Sequence, residues 1–229
     1  MLIKKWSKLP DGLKNDAVFE YYKILRRKNF SLFWKRVFDI TVSSVMIVLL
    51  SLLFVILAVI IKADSKGPVL FRQRRVTQYG KVFRICKFRT MVADAPQKGA
   101  QVTSQNDMRI TKVGKFIRKC RLDEIPQLFN VFTGSMSFVG TRPEVEKYVD
   151  CYTDEMKATL LLPAGITSEA SIKYKDEDML LSNAENADET YINEVLPVKM
   201  EYNLKAIRKF GFWRDIGTMF RTVGAVLRR

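Results

Sequence analysis

Ile40-Thr-Val-Ser-Ser-Val-Met-Ile-Val-Leu-Leu-Ser-Leu-Leu-Phe-Val-Ile-Leu-Ala-Val-Ile-Ile61 is the longest uncharged run in the chain. It has 22 residues, and 16 of them are Leu, Ile, Val or Phe. As a helix it would be roughly 33 Å long, enough to cross a bilayer. At roughly −0.4 kcal/mol per large apolar residue, insertion gains about 6 kcal/mol. The run starts too late and lacks the small-residue cleavage site of a signal peptide. Its flanks decide how it sits. Lys23, Arg26, Arg27, Lys28, Lys35 and Arg36 precede it, and Lys62, Lys66, Arg72, Arg74 and Arg75 follow. Basic flanks stay cytoplasmic, and a single crossing cannot keep both there. The charge symmetry therefore favours a re-entrant helix that turns back near Ser51. The alternative is an ordinary span whose distal flank is basic for substrate reasons.

The chain has 229 residues, room for one large or two small domains, and a net charge of +15. It contains no histidine, which removes Ser-His-Asp hydrolysis, His-ligated zinc and histidine proton shuttles. Cys86, Cys120 and Cys151 are too far apart for a Cys-x-x-Cys pair, and three is an odd number. Charge is segregated. Residues 62–121 carry +13, residues 144–194 carry −9, and residues 195–229 carry +6. Such basic stretches call for phosphate-bearing partners: nucleic acid, anionic lipid or a phosphorylated small molecule. The apolar run and the acidic stretch argue against nucleic acid.

Outside the run, residues 1–34 read as an N-terminal extension whose Lys, Phe and Trp residues suit a helix lying in a membrane interface. Val69–Gln73 and Val82–Phe88 read as strands of a hairpin turning at Gln78-Tyr79-Gly80-Lys81. Residues 92–108 read as a polar loop. Ile110–Lys119 and Ile125–Phe132 read as helices, the second ending at Gly134, and Met136–Val139 as a short strand. An acidic amphipathic helix is expected over 144–161. One or two basic amphipathic helices, carrying Phe210, Phe212, Trp213 and Phe220, are expected over 198–229.

Arg118-Lys-Cys-Arg-Leu-Asp-Glu-Ile-Pro-Gln127 carries the most chemistry. Pro126 suits a first helical turn, so Asp123 or Glu124 would stand at the cap. Two adjacent carboxylates then lie beside Arg118, Lys119 and Arg121. Taken alone, the pair reads as helix capping with a salt bridge. Gly140-Thr-Arg-Pro143 alone reads as a turn, and Lys87-Phe-Arg-Thr-Met91 as a strand edge.

Together and in this order, these pieces resemble a known family, the bacterial sugar transferases or monotopic phosphoglycosyl transferases. The other matching blocks are Lys35-Arg36-Val-Phe-Asp39, Gly67-Pro-Val-Leu-Phe71, Thr111-Lys-Val-Gly-Lys-Phe-Ile-Arg118, Leu122-Asp-Glu-Ile-Pro-Gln-Leu-Phe-Asn-Val131, Gly134-Ser-Met-Ser-Phe-Val-Gly140 and Pro163-Ala-Gly-Ile-Thr167. The resemblance covers residues 35–167 well. Larger relatives carry several spans before this unit, and residues 1–34 are too short for that, so the chain resembles the minimal form.

The resemblance implies a mostly helical α+β fold. It has a 1–34 extension, a re-entrant helix within 35–66, and a cytosolic catalytic domain over 67–229 with a short β-hairpin and interfacial helices. It implies transfer of a sugar 1-phosphate from a nucleotide sugar, usually a UDP-sugar, to polyprenyl phosphate. The expected place is the cytoplasmic face of a bacterial inner membrane, and the expected route a covalent aspartyl intermediate. Carried over, Asp123 is the nucleophile, Asp123 and Glu124 hold Mg2+, and Lys87, Arg118 and Arg142 contact phosphate. The chain departs from the family pattern at Ser51-Leu52, where Ser-Pro is typical, at Thr141, where Pro is common, and after Thr167. The competing reading is a non-catalytic membrane-docked protein that binds anionic lipid or nucleic acid.

Overall fold

The computed structural model describes residues 2–92, 107–174 and 186–227. The loop expected over 92–108 lies, apart from its ends, outside those residues.

Helix α1 (Asp16–Arg27) starts where Asn15 Oδ1 accepts the Val18 amide at 2.8 Å, an N-cap. Its buried face, Val18, Tyr21, Tyr22 and Leu25, repeats every three to four residues. The apolar run then forms most of two helices, α2 (Asn29–Leu49) and α3 (Ser51–Asp64), bent by 61°. Among the described residues no single helix is long and apolar enough to cross a membrane, although this bent pair is, taken together.

The bend needs no proline. Leu50 leaves the helical region, with φ −91° and ψ 4°. Each half then packs on a different surface. Phe38, Val42, Ile47 and Leu50 lie against Leu128, Val131, Met136 and Phe138. Leu53, Phe54, Leu57 and Ile61 lie against Phe88 and Ile117. A straight rod could not reach both. Carbonyl back-bonding in this region comes from Ser43, to Asp39 O at 2.5 Å, and Ser44, to Ile40 O at 2.7 Å, both upstream of the bend. The tip is bare: Val48, Leu49 and Leu52 are each at least 70% exposed.

Strands β1 (Leu70–Val76) and β2 (Val82–Phe88) pair antiparallel, Leu70 opposite Phe88 and Val76 opposite Val82. Helices α4 (Lys112–Lys119) and α5 (Gln127–Thr133) follow, and α5 ends at Gly134, whose φ of 89° is left-handed. Strands β3 (Met136–Val139) and β4 (Ala164–Thr167) pair in parallel. Their ends nearly touch, since a Cβ on Gly165 would lie 2.1 Å from Gly140 N. That contact requires glycine.

The acidic helix expected over 144–161 is instead α6 (Glu146–Val149) and a separate 3₁₀ turn, Met156–Leu161. Between them lie Asp150, Thr153 and Asp154, short polar residues that favour caps over helix interiors. Thr153 Oγ1 accepts the Met156 amide at 3.3 Å and restarts the turn. After α7 (Glu169–Lys173) come α8 (Ala187–Thr190), α9 (Leu196–Arg208) and α10 (Phe212–Leu227).

Residues 2–34 supply buried side chains to a shared core. Ile3, Leu9, Leu13, Val18, Leu25 and Leu32 pack with Tyr79, Leu161, Leu204 and Phe210. Phe210 is therefore core, while Trp213 and Phe220 are 80% and 74% exposed.

Candidate active site

Four motifs converge through polar contacts. Lys35-Arg36-x-x-Asp39 fastens α2. Lys35 Nζ donates to Val139 O at 2.7 Å and to Asp215 at 2.6 Å. Arg36 donates to the last carbonyls of α5, Val131 O and Phe132 O. Asp39 Oδ1 accepts the Phe138 amide at 3.2 Å. Arg89 Nη2 donates to Ile61 O and Ser65 O at the end of α3, so the segment that holds Lys87 also fixes the returning helix. Asn130 on α5 accepts Cys86 N at 2.9 Å and donates to Arg84 O at 3.0 Å. These two bonds lock β2, and with it Lys87, onto α5.

Asp123 and Glu124 lie in a 3₁₀ turn, Leu122–Glu124, just before α5. Pro126, not either carboxylate, takes the cap position. The turn is entered through Arg121, a non-glycine residue at φ 56°. Glu124 Oε1 accepts from Arg142 Nη2 at 2.8 Å and from Lys87 Nζ at 3.0 Å, with Arg121 Nη1 at 4.0 Å. Burial opposes its ionisation, but Arg142 and Lys87 prevail and hold the carboxyl well below the usual carboxylate range.

Asp123 is also buried, yet its carboxylate makes no hydrogen bond or ion pair among the described residues. Burial raises its pKa above the ordinary aspartate value. Lys87, Arg118 and Arg121 oppose that rise, and Glu124 adds to it. Burial likewise lowers Lys87, with Glu124 pulling the other way. The structure thus brings Lys87, Asp123, Glu124 and Arg142 together, with Arg118 on the last turn of α4 close enough to act on Asp123 by its charge.

Two parts of the site were not singled out from sequence. In sequence Arg121 reads only as a neighbour in the basic run. Behind Arg142-Pro143 lies a buried ionic cluster. Tyr191 OH donates to Glu144 at 2.5 Å, Lys199 donates to Tyr191 OH at 3.0 Å, and Arg75 donates to Pro143 O at 3.1 Å. Glu144 directly follows the Arg142-Pro143 motif, but Tyr191 and Lys199 lie far along the chain with no local signal.

A hard dication takes one or two carboxylates and completes its shell with phosphate and water. The Asp123–Glu124 pair, with Asp123 unpartnered among the described residues, fits that donor set. Among the described residues no group of three or more His, Cys, Asp or Glu side chains could hold an ion without such help.

The model for bacterial sugar transferases matches residues 30–229. The chain is 39% identical over 198 residues to the UDP-N-acetylgalactosamine-undecaprenyl-phosphate N-acetylgalactosaminephosphotransferase of Aeromonas hydrophila, covering 85% of this chain and 44% of that protein. It is 38% identical over 195 residues to the UDP-glucose:undecaprenyl-phosphate glucose-1-phosphate transferase of Klebsiella pneumoniae, covering 83% and 39%. A protein of the same description from Caulobacter vibrioides is 32% identical over 196 residues, covering 84% and 69%. The chain spans less than half the length of the first two relatives.

Proposed function

We propose a function from one premise: the chain belongs to the bacterial sugar transferase family. It transfers a sugar 1-phosphate from a UDP-sugar to polyprenyl phosphate and releases UMP. The relatives' names support both substrates, and they differ in the sugar. The observation that carries the reading is the buried carboxylate of Asp123, without a hydrogen-bond or ion-pair partner among the described residues, beside Lys87, Arg121 and the Glu124–Arg142 pair.

An Asp123 oxygen attacks the sugar-linked phosphorus, and the bond from that phosphorus to the UMP oxygen breaks. UMP leaves, and a phosphosugar remains esterified to Asp123. An oxygen of the acceptor phosphate then attacks the same phosphorus and releases the carboxylate. Two in-line displacements retain configuration at phosphorus. Each anion-on-anion approach is opposed by about 4 kcal/mol per charge pair at 4 Å and an effective dielectric of 20. Lys87, Arg118, Arg121 and Arg142 offset this and hold the phosphate oxygens. Burial makes the Asp123 carboxylate more basic. Mg2+, held by Asp123 and Glu124, would supply further charge neutralisation on the diphosphate.

The bent pair α2–α3 enters and leaves the bilayer on its cytoplasmic face. The apolar tip at Val48–Leu52 and the basic flanks support this reading. Exposed Trp213 and Phe220 on α10 and Phe30 and Trp34 on α2 sit at headgroup depth.

The test is UMP release across a panel of UDP-sugars, with and without polyprenyl phosphate in nanodiscs. Release with one or a few sugars, dependent on Asp123, is expected. No release with any UDP-sugar would overturn the reading.

A further inference from the structure

Beside Glu124 opens a groove of about 440 Å³, within the range of small-molecule sites. Its apolar walls come from five elements: Met46 of α2 with Leu50 at the break that follows it, Leu128 of α5, Phe138 of β3, Ile172 of α7 and Met219 of α10. Its ionic end is Arg121, Glu124 and Arg142. The hydroxyls along it are already engaged. Thr167 and Thr222 bond each other at 2.7 Å, and Ser171 bonds Ser168 at 3.0 Å. The walls therefore would leave most hydroxyls and carbonyls of a nucleotide or a sugar without partners. Leu50 joins the groove to the bare tip of the bent pair, and Val223, 56% exposed, joins it to the outer face of α10.

We propose that this groove holds the phosphate-proximal isoprenoid units of the lipid acceptor, with the acceptor phosphate against Arg121 and Arg142. The inference rests on the proposed reaction and adds where the acceptor lies. Charge complementarity selects the occupant: one apolar chain with one anionic head matches an apolar slot whose end carries two guanidiniums and one carboxylate, a net positive charge. The slot's ionic end includes Glu124, next in sequence to Asp123, so the acceptor phosphate arrives on the α5–β4–α10 side of the nucleophile. The donor is left the opposite side, around Lys87 and Arg118.

The test uses the full chain in nanodiscs and a polyprenyl phosphate bearing a diazirine in its first isoprene unit, without donor. Crosslinks to the segments around Ile166–Ile172 and Met219–Val223 are expected, blocked by excess unlabelled polyprenyl phosphate but not by phosphatidylglycerol. Crosslinks on the α3–α4 side, or equal competition by phosphatidylglycerol, would overturn the inference. Ile172→Trp and Met219→Trp should each raise the acceptor KM by about tenfold or more and leave the donor KM unchanged. Unchanged acceptor KM in folded variants would also overturn it. Because crosslinking needs no turnover, groove labelling without transfer would defeat the proposed reaction alone. Normal transfer with labelling elsewhere would defeat the groove alone.

Discussion

Asp123 and Glu124 are consecutive residues with opposite electrostatic fates. One Glu124 oxygen is held by both Arg142 and Lys87, whereas the Asp123 carboxylate has no such partner among the described residues. The same cations that hold Glu124 ionised thus leave its neighbour unspent. One carboxylate organises the site, and the other is available to react.

Asp123→Asn should cost on the order of 10⁴-fold or more in turnover, as loss of a covalent nucleophile does. It should also stabilise the fold at neutral pH. The folded-state pKa of Asp123 is raised, so its stabilising contribution is full below the unfolded pKa and is lost as pH rises through the folded value. A neutral amide escapes that loss. Thermal melting at pH 7 checks this, and an inactive variant with a lower Tm would contradict it.

Glu124→Gln should destabilise by about 1–2 kcal/mol at pH 7, because it leaves the partly buried Lys87 and Arg142 without their anion. The folded pKa of Glu124 is lowered, so its contribution is present above the unfolded value and fades as pH falls through the folded one. Denaturant melts of both proteins should converge on acidification.

The acid limb of the pH–rate profile should lie above the ordinary aspartate value near 3.9, because burial raises Asp123. Lys87→Met should move that limb further up, since Lys87 opposes the rise. A limb that moved down would contradict the arrangement.

Asn130→Ala should cost about 2–4 kcal/mol, because it strips partners from the Cys86 amide and the Arg84 carbonyl. It should weaken catalysis through displaced Lys87. Denaturant unfolding and kcat measured on the same preparation check both effects.

Much of this was legible in sequence where local chemistry dominates. The hairpin at Gln78–Gly80, the stop at Gly134 and the strand at Met136 each carry their own turn or periodic signal. Lys87, Asp123, Glu124 and Arg142 sit in motifs whose resemblance pointed to a common site, and the structure gathers them. What sequence hid was tertiary. The bend at Leu50 arises because two halves of one apolar run pack on different surfaces, not from Ser51. Phe210 reads like Trp213 in a string of aromatics, yet one is core and the other bare. The Glu144–Tyr191–Lys199 cluster joins residues 47 and 55 positions apart, beyond any local pattern.

The measurement closest to the central claim is intact mass after incubating the protein with its UDP-sugar and no acceptor. The account predicts stoichiometric UMP release and a mass gain of one sugar phosphate, mapped by peptide fragmentation to Asp123, absent in Asp123→Asn, and discharged when polyprenyl phosphate is added. UMP release that occurs only with polyprenyl phosphate present, with no adduct on Asp123 at any time, would contradict it.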